Sequence, residues 1–426
     1  MGTACGKLQR GRSMSDEDAT YTCSPTMRVM PVVLFNLLVY FVIGLPNAVI
    51  GAQFVHNTLG FTTAVAASTI SLQYIGTAMG RMVVGHRIDV YGPKAVLRYG
   101  LIFCVISGLL VCLAALIPTF LGLNDTSRYI ALGIALISRL FIGWSESCTS
   151  TSVTAWNLRR VGQAHSSVAI SWNGVTSYGG IAVGVTIGQL LSSLLPTIPL
   201  LPVGFLEVVL GIGGVILLTF YTAIKPLAGK GKPMSFGRAV KKVLPYGAGL
   251  AAGSVGFGTV NSFLALYYTE NHWTGLGVAF GVFAACFIFM RIFVSGQIDK
   301  HGGVPIAYMS LVTEAIAMLV FCLVHNNMGG LIGAALTGTG FSLLFPAMGT
   351  MAVKTDGPEY NGILIAAYSI FTDLTIVVSS WFMGGLRDHM GWPTMFAVAG
   401  ILCVSGIAFS AIFSRIPGCG VPKEAK

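Results

Sequence analysis

Apolar stretches of about 20 residues recur from one end of this 426-residue chain to the other, and they limit what it can fold into. Each is long enough to cross a hydrocarbon core of about 30 Å as a helix. No water is available there, so every backbone N–H and C=O must be bonded within its own segment, which a helix does. Composition agrees with this reading. Charged residues are only 9% of the chain, hydrophobic residues are 54% and the mean hydropathy is +0.79, leaving too little polar surface to cover a soluble globule.

Runs between breakers predict spans near 28–52, 63–84, 95–118, 129–153, 167–190 and 200–224, then 243–268, 276–297, 304–325, 329–353, 362–385 and 394–414. The expected fold class is an all-α membrane protein with twelve transmembrane helices in two six-helix bundles, residues 28–224 and 243–414. A basic linker at 225–242 joins the bundles, and tails at 1–27 and 415–426 flank them. An even number of spans puts both termini on one side. If that side is cytoplasmic, the 25 Lys and Arg all lie in inner regions except Arg128 and Arg387 in outer loops and Arg139 within a span. The positive-inside rule therefore puts both termini in the cytoplasm. The net charge of +10 then reports topology and does not call for nucleic acid as a partner. The first tail lacks the basic start and short apolar run of a secretory signal, and the chain can begin at Met1 or at Met14. Nine cysteines show no metal-ligand spacing, so neither a metal site, a cofactor nor a disulfide framework is expected.

A short pattern occurs twice. Arg81, Asp89 and Gly92 follow the second span, and Arg291, Asp299 and Gly302 follow the eighth with the same spacing, 210 residues later. Two equivalent halves fit a transporter built from repeats, with a site between them. The first copy, Gly85-His-Arg-Ile-Asp89-Val-Tyr-Gly92-Pro-Lys94-Ala-Val-Leu97, resembles the loop signature G-x-L-A-D-R-x-G-R-K-x-x-L of the major facilitator superfamily. Arg87, Ile88, Val90 and Pro93 depart from that signature, and in the second copy Ser295 stands in the glycine place. Ile70-Ser-Leu-Gln-Tyr74 and Ser171-Trp-Asn-Gly174 are similar to the YhhS/YfcJ-type bacterial branch, described as efflux permeases. The resemblance implies a cytoplasmic gate made of Arg81, Gly85, Asp89, Gly92, Lys94, Arg291, Asp299 and Gly302, with Arg81 near Asp89 as a partner.

Ionisable residues inside spans are costly and mark functional sites. Five are expected there: Arg139, Glu146, Glu207, Glu314 and Asp373. Arg139 and Asp373 lie about ten residues into their spans, hence roughly 15 Å deep at 1.5 Å per residue. Arg139 opens Arg-x-x-x-Gly143, which resembles a fourth-span motif of proton-coupled facilitators, implying that Arg139 tunes a proton-carrying acid, Asp373 or Glu146. Gly180-x-x-x-Gly184-Val-x-x-Gly188-Gln resembles an antiporter motif without its proline, and close helix packing explains its glycines equally well. Candidate cavity residues are Asn36, Tyr40 and Asn47, then Trp172, Asn173 and Tyr178, with Asn261, Tyr267, Tyr368 and Thr372 from the second half.

The expected function is secondary active transport of a small organic solute, proton-coupled efflux foremost, in a bacterial inner membrane by a monomer. Proton symport of a sugar, organic acid or other metabolite is the alternative, and a non-transporting receptor or scaffold is the alternative of another class. With no Walker A loop, His-Glu-x-x-His or G-x-S-x-G, an enzyme is not expected. The partners expected are the lipid bilayer, a small-molecule substrate and protons.

Overall fold

The computed structural model describes residues 24–47, 49–224, 234–413 and 415. The two candidate start methionines, most of the first tail, the lysine-rich stretch 225–233 and residues 416–426 lie outside the described residues.

The described chain is a bundle of long helices. They are α1 (Pro25–Asn47), α2 (Thr63–Tyr91), α3 (Pro93–Leu121), α4 (Asp125–Val161), α5 (Ser166–Leu194) and α6 (Leu201–Thr219). Then come α7 (Phe236–Glu270), α8 (Leu276–Phe289), the short α9 (Gly296–His301), α10 (Gly303–Leu323), α11 (Asn327–Val353) and α12 (Asn361–Phe413). A π-helical segment, Ile50–Thr58, follows α1, and another, Met290–Val294, joins α8 towards α9. The 53-residue α12 is broken at Gly391, whose φ of 81° no helical residue adopts.

Local sequence accounts for many of the ends. Asn124 accepts from the Ser127 amide at 2.8 Å and starts α4 with a reciprocal capping box. Asn326 starts α11 in the same way, accepting from Gly329 N at 2.8 Å. Gly92 (φ 87°) ends α2 and opens α3, and Gly302 (φ 84°) ends α9 and opens α10. Both values lie in the region that glycine enters without a Cβ penalty, so the two copies of the loop pattern turn alike.

Among the described residues ten helices are long and apolar enough to cross a membrane, fewer than the twelve spans expected. Two features make the difference. α2 covers the expected second span but is too polar to qualify, because Thr69, Gln73, Thr77 and Arg81 repeat every four residues along one buried face. The last two expected spans lie on the two sides of the Gly391 break and count as one helix.

Packing is mostly within each half of the sequence. α1 lies on α5 and α4, α3 on α4 and α6, and α2 on α4; α7 lies on α12, and α10 on α11 and α12. Between the halves α2 packs against α12, and α5 against α11. The glycines of α5 explain how closely it approaches α1. A Cβ at Gly184 would overlap the Phe41 carbonyl oxygen and come within 3.0 Å of Gly44 Cα, and one at Gly188 would overlap the Leu45 carbonyl oxygen. These are backbone atoms that cannot swing aside, so this Gly180–Gly188 series serves as a small-residue seam.

A substitution series tests this seam. Gly184→Val forces α1 and α5 apart and costs about 1–3 kcal/mol, in the range for overpacking. We expect the melting temperature of the purified protein in detergent to fall by several degrees. Gly179→Ala, where a Cβ meets open space, leaves it unchanged.

Candidate functional site at the helix crossings

α2, α4, α5 and α12 begin or end at one end of the bundle, here called the motif end because both loop patterns lie there. The first four N–H groups of a helix have no partner inside it. At α12 these donors are met by another helix: Asp89 of α2 accepts from Gly362 N at 2.9 Å and from Ile363 N at 3.0 Å. A carboxylate at a helix N-terminus also opposes the positive end of the helix dipole. The fit needs a missing side chain, because a Cβ on Gly85 would stand 2.7 Å from Ile363 Cα. Arg159 approaches Asp89 at 3.7 Å. The second copy makes the reciprocal crossing, with Ser167, at the start of α5, donating a short hydrogen bond to Asp299 of α9.

Arg81 does not partner Asp89, contrary to expectation. It lies two turns further in on α2 and pairs with Asp373 of α12, Nε to Oδ2 at 2.8 Å, while donating from Nη1 to Thr151 of α4 at 2.9 Å. Both members of the pair are 4% exposed. The helix face explains the outcome: Asp373 stands ten residues after Ile363, about 15 Å along the axis, level with Arg81 rather than Asp89. Lys94 donates to the Tyr221 carbonyl and ties α3 to the end of α6.

Glu146 of α4 accepts from Gln73 Nε2 at 2.9 Å, Thr77 Oγ1 at 3.2 Å and Tyr40 Oη at 3.2 Å. The Gln73 amide oxygen accepts a short bond from Arg139, which also donates to Asn47 Oδ1 at 2.5 Å. Gln73 is therefore a neutral bridge between an arginine and a glutamate too far apart to touch. Its amide has a fixed sense, oxygen towards the cation and nitrogen towards the carboxylate. Neither Gln73 nor Thr77 was among the expected site residues. The signal that exposes them is their four-residue spacing with Arg81, which places all three on one face of α2.

The remaining candidates separate into groups. Asn36 is fully buried between α1 and α5, donating to Asn173 O, Thr176 and Ser177. Asn173 itself donates to Ser150 at 3.3 Å, and Trp172 packs with the apolar core of the first half. Tyr178 lies on Phe287 with ring centroids 4.3 Å apart. Tyr368 donates to the Phe345 carbonyl at 2.9 Å, and Thr372 accepts from Ser254 at 3.4 Å. Tyr267 belongs to a different aromatic cluster with Trp273, Phe321, Trp392 and Phe396, and Asn261 is exposed. Glu207 accepts from Ser107 at 2.9 Å within the first half, and Glu314 is fully buried beside Gly256 and Gly340 in the second. Among the described residues no cluster of His, Cys, Asp and Glu has the makings of a metal site.

The family model of the Major Facilitator Superfamily matches residues 32–371 and again 247–424. The chain belongs to the major facilitator superfamily. It is a multi-pass membrane transporter that moves a solute by secondary transport, and it is not an enzyme. Its bacterial relatives include an "Uncharacterized MFS-type transporter" of Burkholderia mallei (strain SAVP1), 35% identical over 96% of this chain and 99% of the relative. Another of that description, from Pseudomonas aeruginosa (strain UCBPP-PA14), is 35% identical over 92% of this chain and 95% of its own. The fold is shared with the proton:xylose symporter XylE at a TM-score of 0.73, 15% identity and coverage of 93% of this chain and 98% of that one. It is also shared with the human organic anion transporter MFSD10, at a TM-score of 0.70, 14% identity and coverage of 91% and 100%.

In a superfamily member the Arg81–Asp373 pair is notable because it joins helices from opposite halves of the sequence. Breaking a buried pair leaves an uncompensated charge, at a cost of about 3–5 kcal/mol. We expect Arg81→Gln and Asp373→Asn each to destabilise the detergent-purified protein by this order. The double variant should lose less than the two losses added together, by at least about 1 kcal/mol. Unfolding curves of the four proteins measure that coupling.

Proposed function

We propose that this transporter is a proton-driven efflux antiporter of a small organic solute, working by alternating access. The observation that carries the reading is the pair of buried acids, Glu146 and Asp373, set in polar networks on helices that meet between the halves. A carboxyl there can hold a proton in one conformation and release it in another, whereas a guanidinium keeps its charge. Glu146 is the favoured carrier: Gln73 links it to Arg139, and no cation lies within salt-bridge distance of it among the described residues. Asp373 holds Arg81 instead, so its protonation would release a bond between the halves.

The same reading places twelve crossings in two six-helix bundles, residues 28–224 and 243–414, with the linker 225–242, both tails and the motif end on the cytoplasmic side of a bacterial inner membrane. Asp89 on the α12 N-terminus and Asp299 on Ser167 then hold the cytoplasmic side shut. Rocking of the halves breaks both contacts together and opens the path from the cytoplasm. The loop signature, the Arg-x-x-x-Gly143 resemblance and the distribution of Lys and Arg support the arrangement. A monomer is sufficient for it, since both halves come from one chain.

Proteoliposomes loaded with a pH-sensitive dye and screened against a panel of organic solutes test the mechanism. We expect solute movement to drive protons in the opposite direction, and Glu146→Gln to reduce that proton movement to the background of empty vesicles. Proton movement in the same direction as solute would make the protein a symporter. Solute flux without proton movement would refute coupling.

A further inference from the structure

The two loop copies place Arg81 and Arg291 at equivalent positions, eight residues before Asp89 and Asp299. The helices they meet are equivalent too: Asp373 stands eleven residues after Gly362 on α12, and Tyr178 eleven after Ser167 on α5. Arg81 finds its carboxylate at that position. Arg291 does not, because a tyrosine stands there.

What surrounds Arg291 is apolar or neutral. It is 2% exposed, it donates from Nη1 to the Ile170 carbonyl at 3.2 Å, and its Nε has no partner. Its guanidinium lies over the Phe287 ring, 4.9 Å from the centroid, and against Gly174, where a Cβ would overlap it. No Asp or Glu lies within 4.0 Å of it among the described residues. A buried cation without a counter-charge is costly, and a guanidinium cannot escape by losing its proton. Beyond Phe287 the aromatic surface continues. Tyr178 packs on that ring, and Phe257 meets Tyr178 edge-on at 5.7 Å while stacking on Phe341 at 4.3 Å.

We infer that Arg291 is the anion-binding residue of the transport site, and that the solute is an organic anion whose carboxylate pairs with Arg291 while its apolar body lies on the Phe287–Tyr178–Phe257 rings. The inference rests on the transport reading above and adds the substrate's charge to it. Planar guanidinium binds carboxylate through two parallel N–H bonds, and the orphan Nε supplies one of the donors. Ile170 and Gly174 of α5 cover the cation one and two turns in from Ser167. Parting of Ser167 from Asp299 therefore uncovers it towards the motif end, and the anion enters from that side.

Equilibrium binding of radiolabelled benzoate to the purified protein in detergent tests this, with benzylamine and benzyl alcohol as cationic and neutral competitors of matched shape. No pH gradient is present, so failure of proton coupling in vesicles and failure of anion recognition are read separately. We expect saturable binding that neither competitor displaces, weakened about tenfold or more in Arg291→Gln, equivalent to about 1.4 kcal/mol. Arg291→Lys, which keeps the charge and loses the planar fork, should bind a few-fold more weakly with an unchanged melting temperature. The proposal is overturned if benzoate binding is not saturable or if benzylamine displaces it as well as unlabelled benzoate does. It is also overturned if Arg291→Gln binds with unchanged affinity, or, where that variant fails to fold, if Arg291→Lys binds with unchanged affinity.

Discussion

Charge that water does not reach must be answered by neighbouring helices, and that requirement sets which helices meet, within the first half and between the halves. Three buried arginines meet it in three ways. Arg81 takes a carboxylate, Arg139 takes two amide oxygens, and Arg291 takes a backbone carbonyl and an aromatic face. Each choice fixes which helices come together: α2 with α12, α4 with α1 and α2, and the α8–α9 junction with α5. Apolar packing holds each half together without specifying such pairings, because one lipid-like side chain substitutes for another at small cost.

Much of the fold is legible in the sequence because it follows from local rules. Span length, the glycines of α5, and the repeated Arg-Asp-Gly pattern all depend on residues a few positions apart. The α2 helix shows the limit of such reading. Its run at 63–84 is read as a span, but the polar stripe that lowers its hydropathy below that of its neighbours becomes visible as one shared face only where it is buried against α4 and α12. The least apolar of the expected spans thus supplies Gln73, Thr77 and Arg81 to the buried polar networks.

The pairings themselves were less legible. Arg81 and Asp89 are close in sequence and were expected to be close in space, yet Arg81 pairs with a residue 292 positions away. That outcome depends on the axial level at which α12 crosses α2, which Gly85 and Gly362 set by allowing contact between backbones. Gln73 stayed hidden for a different reason. An amide inside a span is usually read as a helix-to-helix bond, and only the two opposite charges at its two ends reveal that it connects them.

The two crossings at the motif end also differ in what evolution can alter. Asp89 takes main-chain N–H groups of Gly362 and Ile363, donors that every residue except proline supplies. Drift at Ile363 leaves its donor in place, but a Cβ at Gly362 would stand 2.6 Å from Asp89 Oδ1 and 2.8 Å from the Gly85 carbonyl oxygen, so the contact is exposed to point mutation at the acid and at that glycine. Asp299 relies on the hydroxyl of Ser167, and a single codon change removes it. One contact thus depends on an acid, a glycine and main-chain donors, while its counterpart hangs on a single hydroxyl that the residue at 167 alone supplies.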